Sequence, residues 1–328
     1  MRDPRLDNAK AVLITAVVLG HLLESVQGWQ NQTLRAALTF IYLFHMPAFI
    51  FLAGITAKRQ GILPRVLNLA VLLVAFQALY TLPVVALKGE YPVGALTPYW
   101  MLWFLLSMIA WQLALPLLLR LGQALPIAIA IALAAGLAPW IGYPLAASRT
   151  LVFFPFFVAG HLYGRQVLQA LPGSLAAKAL AALLLGGLTV CLYRNGIDHP
   201  WLNGYAGYAE LGVDALTGPP LRLAVLFAAA LATLAFLTFI GSRPGRLGSV
   251  GETSLAVFLL HGFLVKACAT PLGWLWREYG AGGALTGASL MAVLIVWILA
   301  RPALDGAIRK LASGASGLAK KSVAALMP

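Results

Sequence analysis

The chain has 328 residues, 61% of them hydrophobic and 10% charged, with a net charge of +13 and a mean hydropathy of +0.87. Soluble domains carry roughly a quarter charged residues, so an ordinary water-soluble globule is excluded. The surplus Lys and Arg lie between apolar stretches and form no basic domain or aromatic–basic face, which argues against nucleic acid as a partner.

Ten stretches of about 20 mostly apolar residues are expected to cross a bilayer. They fall at roughly 9–27, 37–57, 63–87, 100–121, 124–142, 151–169, 175–193, 222–241, 251–272 and 283–304. With a cytoplasmic N-terminus, seven of the 23 Lys and Arg residues (Arg35, Lys88, Arg149, Arg194, Arg222, Lys266 and Arg277) fall outside and the rest inside. That asymmetry satisfies the positive-inside rule and puts both termini in the cytoplasm. The expected class is an all-α, polytopic integral membrane protein of about ten transmembrane helices. A single domain is expected over 1–328, in the inner (plasma) membrane, with 302–328 as a basic cytoplasmic tail against anionic lipids.

The first stretch resembles a signal peptide, with Arg2, Arg5 and Lys10 ahead of an apolar run, but it has no small-x-small cleavage site and reads as an uncleaved span. It runs from Lys10 to His21 and Glu24. Eleven helical residues return His21 to within about 20° of Lys10 and roughly 16 Å along the axis. Glu24, three residues on, shares that face. Ionisable groups at membrane depth are costly and mark reaction or transport paths. A carboxylate beside an imidazole orients it and raises its basicity, as a general base for a hydroxyl requires.

In the second stretch His45 precedes Pro47 and Gly54. The assumed topology puts His45 roughly 13 Å and His21 roughly 9 Å below the outer ends of their spans, within reach of one outer cavity. Lys58, Arg59 and Arg65 follow on the cytoplasmic side, as does Arg246 further on. Tyr99, Trp100 and Trp103 read as an aromatic belt or a substrate platform. Arg149, at the mouth of the sixth span, either snorkels or holds a phosphate or other polar group. His161 and His261 more often pack than react. The polar segment 193–220 is too short for a domain and is expected to form a lid or short surface helices. Cys191 and Cys268 are unpaired core fillers by their spacing. The chain has no zincin His-Glu-x-x-His, Walker loop, dinucleotide fingerprint or Gly-x-Ser-x-Gly elbow, so no metal is expected. These residues alone leave a proton-coupled transporter or flippase open beside an enzyme, although no internal repeat is visible.

Taken together, several pieces resemble the acyltransferase-3 family of membrane acyltransferases, in the branch related to fucose 4-O-acetylase. They are Arg2-Asp-Pro-Arg5-Leu-Asp7-Asn8-Ala-Lys10 leading to Gly20-His21-Leu-Leu-Glu24, then Phe44-His45-Met-Pro47 through Gly54. Trp103-Phe-Leu, Ser148-Arg149-Thr150 with Pro155-Phe-Phe, and Gly251-Glu252-Thr-Ser254 through His261 follow in family order. The resemblance implies about ten spans, acetyl-CoA or another acyl-CoA as cytosolic co-substrate, and a hydroxyl of an extracytoplasmic glycan or glycolipid as acceptor. It implies His21, Glu24 and Lys10 as the catalytic group. Lys58, Arg59, Arg65, Arg149 and Arg246 are then expected on the donor, and His45, Trp103 and His261 on the acceptor.

Overall fold

The computed structural model describes residues 3–88, 97–138, 140–142 and 144–326, so Arg2 of the N-terminal motif lies outside the described residues. All regular structure among them is helical. The helices are α1 (Pro4–Glu24), α2 (Gln32–Thr56), α3 (Ile62–Lys88), α4 (Trp103–Arg120), α5 (Ala124–Ala134) and α6 (Ala147–Ala170). They continue with α7 (Leu175–Arg194), α8 (His199–Asn203), α9 (Gly218–Thr238), α10 (Arg246–Glu252), α11 (Ser254–Leu299) and α12 (Pro302–Leu326).

Among the described residues, eight helices are long and apolar enough to cross a membrane, so the chain is a multi-pass membrane protein. Ten stretches were expected, and the difference has two sources. The fifth is an 11-residue helix prolonged by a short 3-10 turn at Ala135–Leu137. The ninth and tenth are joined in the 46-residue α11, where Gly280 alone leaves helical geometry (φ 62, ψ −153). The intervening Trp274, Arg277 and Glu278 continue the helix, and the left-handed Gly280 turns it. α1 begins before the expected boundary because the Asp3 carboxylate accepts from the Arg5 amide and Pro4 fits the first helical turn.

The core is built on α1, which packs on α2, α10 and α11, and on α2, which packs on α6 and α9. Much of the N-terminal motif serves this packing. The Arg5 guanidinium donates to the carbonyls of Ile240 and Leu168. Asn8 Nδ2 donates to the carbonyls of Gly241 and Arg243 at 2.9 and 3.0 Å. One end of α1 is thereby tied to the ends of α6 and α9. Gly251 admits α10 against that end, because a Cβ there would meet the Asp7 carbonyl at 1.8 Å.

α2 and α6 approach through Gly54, Gly160 and Gly164, the small-residue contact that membrane helices use to bring backbones together. A Cβ on Gly160 would sit 2.0 Å from the Phe51 carbonyl, backbone against backbone. Gly160→Val is therefore expected to lower stability by about 2 kcal/mol or more, read as a fall in the unfolding midpoint in detergent. Gly186→Ala, with open space at its Cβ, is the control and should lose nothing.

α12 packs on α3 and α11, burying Asp305, Ile308 and Ala312, with Asp305 paired to Arg309. The expected tail is thus helical, and its part through Ala312 is docked on the bundle.

Candidate active site

His21 lies in the last turn of α1, and its Nδ1 is 2.9 Å from Glu24 Oε2. The chain after Glu24 then folds back. Gln27 is left-handed (φ 56), and the Gly28 amide donates to the Leu23 carbonyl at 3.1 Å, a reversal that normally places glycine at the left-handed position. This turn returns Trp29 beneath the helix, where its indole N–H donates to Glu24 Oε1 at 3.1 Å. The Tyr42 hydroxyl of α2 also bonds the carboxylate. Glu24 therefore has donors on both oxygens. The carboxylate can accept from a His21 Nδ1–H, and that tautomer leaves the Nε2 lone pair unused on a side chain that lines the cavity.

The His21 ring is held from the sides. Trp100 lies at 4.7 Å and His261 stacks at 5.5 Å with planes 15° apart. His261 is fully buried, its Nδ1 bonded to the carbonyls of Val257 and Phe258. Trp100 carries a left-handed backbone (φ 43) and starts the turn into α4, fixed by the Tyr99 amide donating to Gln77 Oε1 at 2.8 Å. Gly262 makes room for this turn and its neighbours, since a Cβ there would lie 2.4 Å from Met101 Cε, 2.7 Å from the Tyr80 hydroxyl and 3.2 Å from the Trp100 ring. Such strain persists only where the surroundings over-determine the conformation.

The cavity has a volume of about 400 Å³, within the range of small-ligand pockets. His21, Glu24 and Trp29 line one side, and Tyr42, His45 and Phe49 of α2 another. Trp100, Trp103, Arg149, His199 and Asn203 line the rest. His45 Nδ1 bonds its own helix at the Ile41 carbonyl (2.9 Å), leaving Nε2 unused by that bond. Arg149 is placed by α6, which Ser107 and Trp111 of α4 hold at Thr150. Its guanidinium lies 5.3 Å from the Trp103 ring and 5.5 Å from Tyr205. Among the described residues, the Asn203 amide nitrogen is buried without a protein partner.

A second cavity of about 320 Å³ shares Trp100, Trp103 and Arg149 with the first and is otherwise lined from connecting segments, by Thr97, Gly142 and Tyr205 among others.

The segment expected as a lid or short surface helices carries the short α8 and is seated on the bundle. Ser148 donates to the Gly204 carbonyl, and the Tyr208 amide and hydroxyl donate to the carbonyls of Gly136 and Leu133. Arg222 of α9 lies buried between the Trp201 and Tyr208 rings and donates to the Ala206 carbonyl. It carries α8, whose His199 meets Glu24 Oε1 at 3.6 Å and the Trp29 ring at 5.2 Å. Burial holds the His199 imidazole below the ordinary histidine range; Glu24 and Asp198 oppose that shift and Arg149 adds to it.

At the other end of α1 a separate cavity of about 610 Å³ is lined by Lys10, Lys58, Arg165, Asp3 and Asp7, and shares no lining residue with the first. Lys10 pairs with Asp7 at 3.4 Å. The structure thus brings His21, Glu24, His45, Trp103 and Arg149 together, with His261 behind them, and puts Lys10 with Lys58 elsewhere. Arg59 and Arg246 are exposed, and Arg65 closes the turn between α2 and α3 on the carbonyls of Lys58 and Gln60. Arg149, expected with the donor residues, lines the same cavity as His21. Sequence reasoning did not single out Trp29, Tyr42, Asn203 or His199. No group of three or more His, Cys, Asp or Glu arranged to hold a metal occurs among the described residues.

A family profile described as an acyltransferase domain matches residues 3–301. The nodulation protein NolL of Mesorhizobium japonicum is 44% identical over 55 residues, which cover 16% of this chain and 15% of that protein. No solved structure matches.

Proposed function

The chain belongs to the acyltransferase-3 family of membrane acyltransferases, and from that premise we propose that it transfers an acetyl group from acetyl-CoA to a hydroxyl of a glycan or glycolipid across the inner (plasma) membrane. The observation that carries the reading is the His21–Glu24 pair at 2.9 Å with its imidazole on a cavity wall. In this reading His21 Nε2 takes the proton of the acceptor hydroxyl as its oxygen attacks the thioester carbon. The resulting imidazolium is stabilised by Glu24 and returns the proton to the departing CoA thiolate. A transient acyl-imidazole would use the same nitrogen.

With the N-terminus cytoplasmic, the Lys10 cavity opens inward, and Lys10, Lys58 and Arg165 supply positive charge for the CoA phosphates. The His21 cavity then opens outward. There His45 Nε2 and Asn203 offer polar contacts to acceptor hydroxyls, Trp103 gives a ring to stack on, and Arg149 belongs to the acceptor side. The rest of the acceptor leaves through the second cavity, between the connecting segments. Leu13, Ile14 and Leu52 are fully buried between the two levels, so the pantetheine arm must part this packing to bring its thioester to His21.

Purified protein supplied with radiolabelled acetyl-CoA and a crude glycan pool should label the glycan. pH-dependent solute flux without label transfer would replace this reading by a transporter. Lys10→Ala and Lys58→Ala should each raise the KM for acetyl-CoA by about five- to tenfold with kcat nearly unchanged, as loss of a phosphate contact of about 1 kcal/mol requires.

A further inference from the structure

We propose that His199, carried by the short α8 outside the spans, is a positioning residue of the acyl-transfer site and acts through Glu24. Its kinetic consequences rest on the function proposed above; the contact itself does not.

Glu24 lines the cavity, where a carboxylate free to rotate would present either oxygen, or neither, to His21. Oε2 is held by His21 and Oε1 by Trp29. The Tyr42 hydroxyl also bonds the carboxylate, and His199 Nε2 approaches Oε1 at 3.6 Å, with its ring 5.2 Å from Trp29. At that separation it is a charge–dipole contact rather than a hydrogen bond, and such contacts tighten when a substrate closes the site. The tautomer follows from the other nitrogen. The Tyr205 hydroxyl lies 3.3 Å from His199 Nδ1; with that hydroxyl as the donor, Nε2 carries the hydrogen that faces Glu24. The groups facing His199 are therefore Glu24 of α1, Arg149 of α6, Tyr205, and Asp198 beside it in the chain.

This arrangement gives the seated segment a purpose. Arg222 and Ser148 hold it down, and it delivers one donor to the carboxylate that fixes the His21 tautomer. The Glu24 cradle is then complete only with α8 in place. Groups that orient a reacting imidazole through one intermediary typically contribute tenfold or more in rate when removed.

The test is a double-mutant cycle in purified protein with radiolabelled acetyl-CoA and the glycan pool. His199→Phe should lower kcat about tenfold with the KM for acetyl-CoA unchanged. His199→Gln, which keeps an N–H near the Nε2 position, should stay within about threefold of the parent. In a Glu24→Gln background His199→Phe should cost nothing further. An additive loss, a Gln variant as impaired as the Phe variant, or a Phe variant equal to the parent would overturn the proposal.

Histidine-labelled NMR in detergent, with His199 assigned from His199→Gln, reads the contact without any turnover. Because the Glu24 charge raises the His199 midpoint, Glu24→Gln should lower it. An unchanged midpoint overturns the proposal. If the midpoint falls but the parent protein transfers no acyl group, the functional reading fails and the contact stands.

Discussion

Replacing His21 with alanine is expected to abolish acyl transfer, by roughly 10³-fold or more, with expression and unfolding midpoint close to those of the parent. The imidazole lines the cavity, so its removal enlarges that space and leaves no sealed core void. His21→Gln separates chemistry from packing. Glutamine fills similar volume and still bonds Glu24, but it has no basic nitrogen. If His21 is the base, glutamine and alanine are equally inactive in the radiolabelled acetyl-CoA assay. Activity restored by glutamine would make His21 a packing residue.

The second large effect is expected at Glu24. Glu24→Gln retains shape and can still accept from Trp29, but its amide offers an N–H to His21 Nδ1 where the carboxylate accepted one. The imidazole then carries its hydrogen on Nε2, facing the cavity, and the base is lost without the ring moving. The imidazolium that forms during transfer also loses its counter-charge. We expect kcat to fall roughly 10³-fold. The KM for acetyl-CoA should stay within about twofold if the nucleotide end binds, as proposed, at the Lys10 cavity. A raised KM with normal kcat would move Glu24 from the reaction to donor binding.

The membrane helices were legible because apolar length alone marks them. The dyad was legible because His21 and Glu24 are three residues apart on one helix, where spacing determines contact. Lys10 shows the limit of that rule. It shares the His21 face but stands at the other end of the helix, where it pairs with Asp7 and borders a different cavity. The same spacing that aligns their faces also parts them by roughly 16 Å along the axis. Trp29 was not legible because its approach depends on a left-handed Gln27, a conformation that side chain does not signal. His199 is 175 positions from Glu24 (199 less 24) and reaches it only because Arg222 and Ser148 seat an otherwise unremarkable polar segment. Gln30, Asn203 and Tyr205 cluster on the same side of the bundle, so polar and aromatic residues in the segments next to the His21 end were the available signal. Arg5 and Asn8, in the most distinctive motif, bond backbone carbonyls of distant helices. A motif's specificity therefore reflects assembly as much as chemistry.

The central claim is that an imidazole on the outer side completes a transfer whose donor arrives from the inner side. Sealed proteoliposomes test it most directly, with radiolabelled acetyl-CoA confined to the face bearing Lys58 and the glycan pool to the opposite face. Labelled glycan is expected across the bilayer with the parent protein and none with His21→Ala. Label on glycan only when it shares the donor's compartment, or undiminished transfer by His21→Ala, would contradict it.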